Sequence, residues 1–174
     1  MYGFRKTNMN EVAELMRIAD AARHLLKSRN VDQWQNEKYP SQELFEADIK
    51  AGISYVMTDG DHIVGMCALT CADDPMYAVI DGAWLTPEGT RYAVAHRGAL
   101  APEYQGQGLT RKWFELIADE ARKLGAVSLR IDTHGENIAM RRSFIGAGFK
   151  ECGIVQLSED YADVGSRTAY EMLL

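Results

Sequence analysis

Hydrophobic and polar residues follow two different periods in the first half of the chain, and these predict a strand followed by helices and a hairpin. Residues 2–7 are expected to form the first strand, and Asn8 with Glu11 has the spacing of a capping box. A helix should follow, because apolar side chains recur at helical spacing at Val12, Leu15, Met16, Ala19, Ala22 and Leu26.

The helical periodicity stops between Ser28 and Pro40, where we expect a loop. Ser41 is a suitable N-cap and Gly52 a suitable terminator for a second, shorter helix. Two strand-like runs at 53–58 and 62–71 then flank an Asp-Gly-Asp turn, which predicts an antiparallel hairpin.

The second half alternates predicted strands with two predicted helices. The stretch from Asp73 to Arg91 contains Pro75 and Pro87 and predicts either an extra strand or an irregular flap. The other expected elements are a strand at 92–101, a helix from Leu109 that Gly125 ends, a strand at 126–132 in which Val127, Leu129 and Ile131 alternate, a helix from Asn137 to Ala147, and strands at 149–157 and 167–174. The order β-α-α-β-β-β-α-β-α-β-β predicts an α/β or α+β fold with a single mixed sheet and helices on both faces.

The size and composition are those of one globular domain. The chain has 174 residues, of which 47% are hydrophobic and 25% charged, so we expect a single domain over residues 1–174. No run approaches the roughly 18 consecutive apolar residues of a membrane span, and the start MYGFRKTNMN lacks the apolar core of a signal peptide. We therefore expect a cytoplasmic protein without a membrane partner.

Charge and cysteine content argue against several classes of protein. A formal net charge of -6 and a pI near 5.2 disfavour binding to nucleic acid and favour a cationic partner. Cys67, Cys71 and Cys152 form an odd set without C-x-x-C spacing, so neither a disulfide framework nor a metal site is expected.

The segment 101–110 lies between a predicted strand and a predicted helix and contains two glycines. The first N–H groups of a helix are unpaired and carry partial positive charge, and glycines let an anion approach them closely. A pyrophosphate is therefore the predicted ligand, although a G-x-G alone also fits a plain turn. The segment resembles the Q/R-x-x-G-x-G/A motif of the GNAT acetyltransferase superfamily, with Gln105 and Gly108 in place and Thr110 at the last position.

A second stretch is similar to the N-x-x-A-x-x-x-Y-x-x-x-G-F pattern of the same family. Asn137, Gly148 and Phe149 match this pattern, whereas Met140 and Phe144 replace its alanine and its tyrosine. The two motifs occupy about residues 97–149, and the order of the predicted elements agrees with the family over nearly the whole chain.

The resemblance implies a fold, a reaction and a set of cofactor contacts. It implies a GNAT-like fold with a mostly antiparallel sheet, and transfer of the acetyl group of acetyl-CoA to a primary amine of a small molecule or peptide by direct attack in a ternary complex. The implied contacts are the backbone of Leu100 and Ala101 with pantetheine, Gln105, Gly106, Gln107, Gly108, Leu109 and Thr110 with the pyrophosphate, Asn137 with the pantetheine arm, and Phe144 at the cofactor. A simple helix N-cap is the alternative role for Asn137.

The same resemblance suggests how the reaction is catalysed. Phe144 cannot protonate the departing CoA thiolate as the family tyrosine does, but a thiol with a pKa of about 8.5 leaves tolerably as an anion. A backbone N–H near Leu100 is expected to polarise the thioester carbonyl. His96 occupies a strand position where the family often has a glutamate, so we expect it to accept the amine proton, with a purely structural histidine as the alternative. Further candidates for this base are Asp81, Asp132 and His134.

The family builds its acceptor pocket from the loop between the first two helices, which here contains Asp32, Trp34, Gln35, Glu37 and Tyr39. We expect Trp34 and Tyr39 to pack an aliphatic or ammonium-bearing substrate, unless they fold back as a lid over the core. Rival functions are a non-catalytic acyl-CoA sensor or interaction domain, and a nucleotide-phosphate enzyme, for which the P-loop lysine is missing. The sequence leaves a homodimer open as well.

Overall fold

The computed structural model describes residues 1–35, 39–157 and 165–174. Short 3₁₀ turns lie at Met9–Glu11, Pro75–Tyr77 and Pro102–Tyr104. The strands and helices of the described residues are, in chain order, β1 (Tyr2–Lys6), α1 (Val12–Ser28), α2 (Gln42–Lys50), β2 (Ser54–Asp59), β3 (His62–Thr70), β4 (Asp81–Gly82), β5 (Tyr92–Leu100), α3 (Thr110–Lys123), β6 (Ser128–Thr133), α4 (Ile138–Ala147), β7 (Lys150–Leu157) and β8 (Gly165–Leu173). The predicted order is confirmed, with β4 as an additional strand.

The eight strands lie in one sheet, in the order β1-β2-β3-β5-β6-β8-β7-β4. Every neighbouring pair is antiparallel except β5 and β6, which are parallel. The sheet is therefore mixed and mostly antiparallel, as expected. Residues 73–91, which we call the flap, combine both predicted alternatives, because the short strand β4 pairs with β7 while the rest is irregular apart from one 3₁₀ turn.

Local sequence signals set the ends of several helices. Asn8 and Glu11 form the expected capping box, which opens the short turn before α1. Ser41 Oγ accepts a hydrogen bond from the Leu44 N–H at 3.2 Å and so caps α2. Gly148 follows α4 with a φ of 103°, a conformation that glycine adopts without strain.

The predicted alternation in β6 holds for Leu129 and Ile131, which lie in one apolar cluster with Phe114 of α3, but it fails for Val127. β6 begins at Ser128, and Val127 lies before it with 51% of its surface exposed. The four consecutive residues from Ser128 to Ile131 are all buried, including the polar side chains of Ser128 and Arg130. β6 is a central strand covered on both faces, so an alternation of polar and apolar residues does not show which of its side chains are buried.

Helices cover both faces of the sheet, as predicted. On one face, Leu15 of α1 and Phe45 of α2 share an apolar cluster with Val56 of β2. On the other face, Phe114 of α3 lies in a cluster with Tyr55, the strand neighbour of Val56. Successive side chains of a strand point to opposite faces, so α1 and α2 pack on one side and α3 packs on the other.

The flap covers the part of the α1–α2 face that lies over β5, β7 and β8. Met76 and Tyr77 pack there against Val94 and Ala169. Val94 faces away from α3, because its neighbour Ala93 belongs to the cluster on the α3 face. The α1–α2 face is thus shared between two helices on one half of the sheet and the flap on the other.

A buried ion pair ties the flap to the sheet. Arg130 Nε lies 3.0 Å from Glu171 Oε1, and the two side chains are 6% and 0% exposed. Glu171 also accepts hydrogen bonds from Ser128 Oγ at 2.6 Å and from Thr86 Oγ1 of the flap at 2.7 Å. The Arg130 guanidinium lies over the ring of Trp84, also in the flap, at 4.1 Å from its centroid. The ion pair, the hydrogen bonds and the ring contact around Arg130 and Glu171 therefore hold the flap against β6 and β8.

We predict that Glu171→Gln lowers the free energy of unfolding by about 2 kcal/mol at neutral pH, because it removes the charge that pairs with buried Arg130. Burial alone would raise the pKa of Glu171, but the hydrogen bonds from Ser128 and Thr86 and the ion pair outweigh it and hold this pKa below its ordinary value of 4.5. A lowered pKa stabilises the fold above the unfolded-state value, and that contribution is lost as the pH falls through the folded-state value.

Urea unfolding across the pH range measures this prediction. The difference between parent and Glu171→Gln should be present at neutral pH and should shrink below about pH 4.5. Glu88→Gln, an exposed change in the same flap, is the matched control and should stay within about 0.5 kcal/mol of the parent. Equal stability of parent and Glu171→Gln at neutral pH would contradict the prediction.

Candidate active site

β5 and β6 pair over their first residues and then separate. Their register runs from Tyr92 opposite Ser128 to Val94 opposite Arg130. Both strands lie wholly within the described residues, and beyond this point β5 continues to Leu100 and β6 to its own end without pairing to each other. A gap therefore opens in the middle of the sheet.

A bulge in β5 lies beside this gap. Met66 of β3 is opposite Ala99 and Ala68 is opposite His96, so β5 has one more residue than β3 over this stretch. Arg97 lies within it and has a φ of 54°. Bulges bend a strand and redirect its side chains, so this bulge determines the directions in which the side chains of His96 and Arg97 project from β5.

A cleft of about 330 Å³ passes through the gap. On one face of the sheet it is lined by α1 and the loop after it, with Leu26, Trp34 and Tyr39. On the opposite face it is lined by α3 and α4, with Phe114 and Phe144. A cleft lined from both faces of the sheet can hold two ligands and bring their reactive groups together beside β5.

The predicted phosphate loop joins β5 to α3 and contributes to this cleft. Gly106 and Gly108 both have a φ of 73°, and a Cβ added to either would meet no atom within 4 Å. Within the described residues, the backbone N–H groups from Gly106 through the N-cap Leu109 to Thr110 donate to no backbone carbonyl. Free N–H groups at a helix start, with open space above glycines, fit the pyrophosphate that the sequence predicted.

Two glutamines brace the loop from within. Gln105 Nε2 donates to Leu100 O at 3.1 Å, and Gln107 Nε2 donates to Glu103 O at 2.7 Å. Both side-chain amides are thus hydrogen-bonded to the protein backbone. The Gln107 backbone N–H remains available for the predicted anion site, whereas the Gln105 N–H already donates to Pro102 O at 3.3 Å and is not free for this contact.

Leu100 and Ala101 differ in what their backbone groups can contact. The Ala101 N–H donates to Val64 O at 2.9 Å, and its carbonyl accepts from the Tyr104 N–H at 2.9 Å. Successive N–H groups of a strand point to opposite sides, so the Leu100 N–H is directed away from β3 and into the gap. The backbone contact that we expected from both residues is consequently available at Leu100, whereas the groups of Ala101 are already paired.

Asn137 caps α4 and binds two further side chains. Its Oδ1 accepts from the Met140 N–H at 3.3 Å, and its Nδ2 donates to Thr133 Oγ1 and to Gln33 Oε1, both at 3.2 Å. Thr133 Oγ1 donates to the same oxygen of Gln33 at 3.0 Å. The N-cap alternative therefore describes one part of its role. Gln33, which the sequence did not single out, links α4 to the loop between α1 and α2, which we call the acceptor loop.

Phe144 forms part of an aromatic cluster at the wall of the cleft. Its ring centroid lies 5.5 Å from that of Phe114, 5.8 Å from Phe149 and 5.1 Å from Tyr170. The Tyr170 hydroxyl accepts from Arg141 Nε at 2.9 Å. Phe144 thus gives the α4 side of the cleft an apolar surface and carries no group that can donate a proton.

His96 lies beside the gap between two carboxyl groups. Its Nε2 is 2.7 Å from Asp74 Oδ2, and its Nδ1 is 3.8 Å from Asp132 Oδ1. The Tyr77 hydroxyl donates to the same Asp132 oxygen at 2.6 Å. The side chain of His96 remains 21% exposed, and both His96 and Asp132 line the cleft. The imidazole can therefore exchange a proton with a group bound there.

The two carboxyl groups beside His96 have opposite pKa shifts. Burial raises the pKa of Asp132, and the charge of His96 and the Tyr77 hydrogen bond offset only part of that shift. Burial would also raise the pKa of Asp74, but the hydrogen bond and charge of His96 outweigh it and hold this pKa below its ordinary value. Asp74 is the ionised partner of His96, whereas Asp132 has the stronger tendency to hold a proton.

The other candidates for the base lie away from this arrangement. Asp81 is exposed on β4, and β6, β8 and β7 separate it from β5, so it cannot reach the gap. His134 lies in the turn after β6, where its Nδ1 accepts from the Glu136 N–H at 3.2 Å. His96 and Asp132 are the two of the four predicted residues that the fold brings together.

The acceptor loop places Trp34 and Tyr39 at the cleft. Their rings meet edge to face at 6.4 Å, and Trp34 is also buried in the apolar cluster under α1. Asp32 is exposed, and Gln35 Nε2 donates to a backbone carbonyl of α1 at 3.3 Å. Glu37 lies outside the described residues. The two aromatic residues thus line the pocket and close the core at the same time.

The sequence did not predict a buried ion pair between Arg97, which lines the cleft, and Asp48. Arg97 Nε and Nη2 donate to the two oxygens of Asp48, at 2.8 and 2.9 Å. Asp48 comes from α2, so this pair fixes the second helix against the bulge of β5. Burial raises the pKa of Asp48, and the Arg97 charge offsets part of the shift.

Among the described residues, the cysteines and the acidic side chains add no further site. Burial raises the pKa of Cys67 to about 12, so its thiol stays neutral in the core. Over the described ranges, no three His, Cys, Asp or Glu side chains lie together as a metal site would require. No helix in the described part of the chain is long and apolar enough to cross a bilayer.

Sequence comparison supports the family that the motifs suggested. The model of the Acetyltransferase (GNAT) family matches residues 19–149. A stretch of 68 residues is 35% identical to the L-methionine sulfoximine/L-methionine sulfone acetyltransferase of Salmonella typhimurium. That stretch covers 39% of this chain and 40% of the Salmonella enzyme.

Solved structures share the fold over nearly the whole chain. A GNAT family acetyltransferase of Streptococcus agalactiae has a TM-score of 0.89 at 26% identity and covers 99% of this chain and 95% of its own. The yncA protein of Salmonella typhimurium, solved with its cofactor acetyl-CoA, has a TM-score of 0.65 at 18% identity. The match covers 100% of this chain and 94% of the yncA protein. Because the family model matches well over half of this chain, the chain belongs to the acetyltransferase (GNAT) family.

Proposed function

We propose that this protein transfers the acetyl group of acetyl-CoA to a primary amine of a small molecule or peptide, by direct attack in a ternary complex. The observation that supports the proposal is the cleft in the middle of the sheet, which is lined by residues of both faces and has His96 and the Leu100 N–H beside the gap. Holding both substrates in one cleft orients their reacting groups, and such positioning can lower a barrier by several kcal/mol.

The α3–α4 face is the proposed side for acetyl-CoA, which supplies the acetyl group as a thioester. The N–H groups from Gly106 to Thr110 would bind its pyrophosphate, because they are free and lie at the start of a helix. Asn137 lines the cleft and is the candidate for the pantetheine arm, and Phe144 contributes an apolar wall on the same side.

His96 is the proposed general base, reached by the acceptor from the α1–α2 face. One imidazole nitrogen takes a proton from the substrate ammonium, and the freed lone pair forms the C–N bond to the acetyl carbon. The C–S bond breaks, its electron pair leaves on the CoA sulfur, and the thiolate takes up the second proton of the amine, directly or through water. The Leu100 N–H is positioned to donate to the carbonyl oxygen on which charge develops.

The acceptor is proposed to be a small cationic amine. The formal net charge of -6 favours a positively charged partner, and Trp34 and Tyr39 offer aromatic faces at the pocket. The partial relative from Salmonella typhimurium is an acetyltransferase of L-methionine sulfoximine and L-methionine sulfone, which are small molecules. Amino acid derivatives are therefore the first compounds to test, followed by aminoglycosides, polyamines and peptides.

Mass spectrometry of such amines after incubation with acetyl-CoA, paired with a thiol assay for released CoA, tests the proposal. We expect one class of amine to be acetylated in step with CoA release. A protein that binds CoA tightly but acetylates nothing in the panel would instead be the non-catalytic acyl-CoA sensor that the loss of the family tyrosine suggests. Thermal shift separates the nucleotide-phosphate alternative, since CoA should raise the melting temperature and ATP should not.

We predict that Phe144→Tyr keeps the fold and leaves kcat unchanged or raises it by up to about tenfold, because the ring fits the aromatic cluster and the added phenol can protonate the CoA sulfur. Steady-state kinetics at saturating acetyl-CoA measures this. Phe149→Tyr is the matched control, because Phe149 belongs to the same cluster but does not line the cleft, and it should not raise kcat. A large fall in kcat for Phe144→Tyr would show that the reaction requires an apolar group at this position.

A further inference from the structure

We infer that Asp74 of the flap is a positioning residue that fixes the tautomer of His96, with the ring proton on Nε2 and the basic lone pair on Nδ1, facing across the gap. The inference rests on the proposed role of His96 as the base. Nδ1 of His96 is then the ring nitrogen that takes the proton from the amine, and Asp74 is the residue that determines this.

Both oxygens of Asp74 are occupied by hydrogen-bond donors. Oδ2 lies 2.7 Å from His96 Nε2, and Oδ1 accepts from the Met76 N–H at 3.0 Å. The Asp74 N–H donates to the Tyr92 hydroxyl of β5 at 3.2 Å, and the side chain is only 10% exposed. Asp74 is thus held in place by its own turn and by the strand that carries His96.

An ionised carboxylate can only accept hydrogen bonds, so its partner nitrogen has to donate. The lowered pKa of Asp74 supports the ionised form. Nε2 of His96 must therefore carry the proton in the neutral ring, and Nδ1 must carry the lone pair.

The free nitrogen is the one that faces the cleft. Nδ1 points towards Asp132 of β6, and their distance of 3.8 Å is too long for a hydrogen bond. The Asp132 oxygen already accepts from Tyr77 at 2.6 Å. Asp132 lines the cleft together with His96, whereas Asp74 does not. Asp74 therefore lies behind the imidazole, and the side of the ring that can meet an amine is Nδ1.

Asp74→Asn is a sharp test because it changes one atom and leaves the shape. The Met76 N–H still requires an acceptor, so the amide oxygen stays there and the NH₂ group faces His96. Nε2 must then accept, and the ring proton moves to Nδ1. We expect kcat/KM for the amine to fall between about tenfold and a hundredfold with CoA affinity unchanged, because the base is present in the wrong tautomer. Asp73→Asn is the matched control, since Asp73 is the exposed neighbour in the same flap, and it should leave both quantities unchanged.

Nitrogen-15 NMR of the imidazole, at a pH where histidine is neutral, reads the tautomer without any turnover. The His96 signals are assigned by their loss in His96→Gln. The Nε2–H form in the parent and the Nδ1–H form in Asp74→Asn are expected. The Nδ1–H form in the parent, or one tautomer shared by parent and variant, would overturn the inference, and the parent spectrum alone decides it if Asp74→Asn does not fold. A switch of tautomer with unchanged kcat/KM would uphold the positioning role and reject His96 as the base.

Discussion

Replacement of His96 by glutamine should lower kcat/KM for the acceptor amine about a thousandfold, within the range expected for loss of a general base. A glutamine amide can donate to Asp74 and fill the space of the ring, but neither of its polar atoms takes a proton at neutral pH. CoA affinity should remain close to that of the parent, because His96 leaves β5 apart from the phosphate loop. The loss should therefore be specific to the step that removes the amine proton.

The pH profile distinguishes this interpretation from a structural role for His96. The imidazole must be neutral to accept a proton, so kcat/KM of the parent should fall towards acidic pH, and this limb should disappear from the residual activity of His96→Gln. Comparison with the same substrate removes the contribution of the titrating amine. His62→Gln, an exposed change at the start of β3, is the matched control. If the rate and its acidic limb both survive in His96→Gln, His96 is structural and Asp132 becomes the next candidate.

The parts of the site that the sequence predicted depend on residues a few positions apart. The glycines of the phosphate loop and the N-cap at Asn137 act within one turn of chain, and both lie where their local patterns placed them. The bulge in β5 could not be anticipated in the same way, because an arginine seldom adopts a positive φ and only the register with β3 shows the extra residue.

The parts that the sequence did not show depend on partners far apart in the chain. Asp74 is 22 residues from His96, and Gln33 is 104 residues from Asn137. Asp74 has only the local pattern of an N-cap before Pro75, and Gln33 has no local motif, so neither residue indicates its distant partner. The fold itself supplies this information, because the topology of the sheet brings the flap and the acceptor loop to the two sides of one gap.

The phosphate loop offers the clearest test of where the cofactor binds, and Gly108→Val should weaken CoA binding about a hundredfold, or about 2.7 kcal/mol. Gly108 has a φ of 73°, which a β-branched residue adopts only with strain, and a Cβ there would meet no atom of the protein. The valine side chain would therefore project into the space above the free N–H groups of the loop, where the pyrophosphate is proposed to lie.

Isothermal titration of CoA into parent and variant measures the effect, with the melting temperature as a check on folding. Gly89→Val is a matched control, because Gly89 also has a positive φ, of 78°, and open space around its Cβ, but lies in the flap. It should incur a similar strain and leave CoA affinity unchanged, so any additional loss in Gly108→Val belongs to the ligand. A folded Gly108→Val protein that binds CoA as tightly as the parent would remove the pyrophosphate from this loop. Acetyl-CoA would then have to bind at a different part of the cleft for its acetyl group to lie near His96.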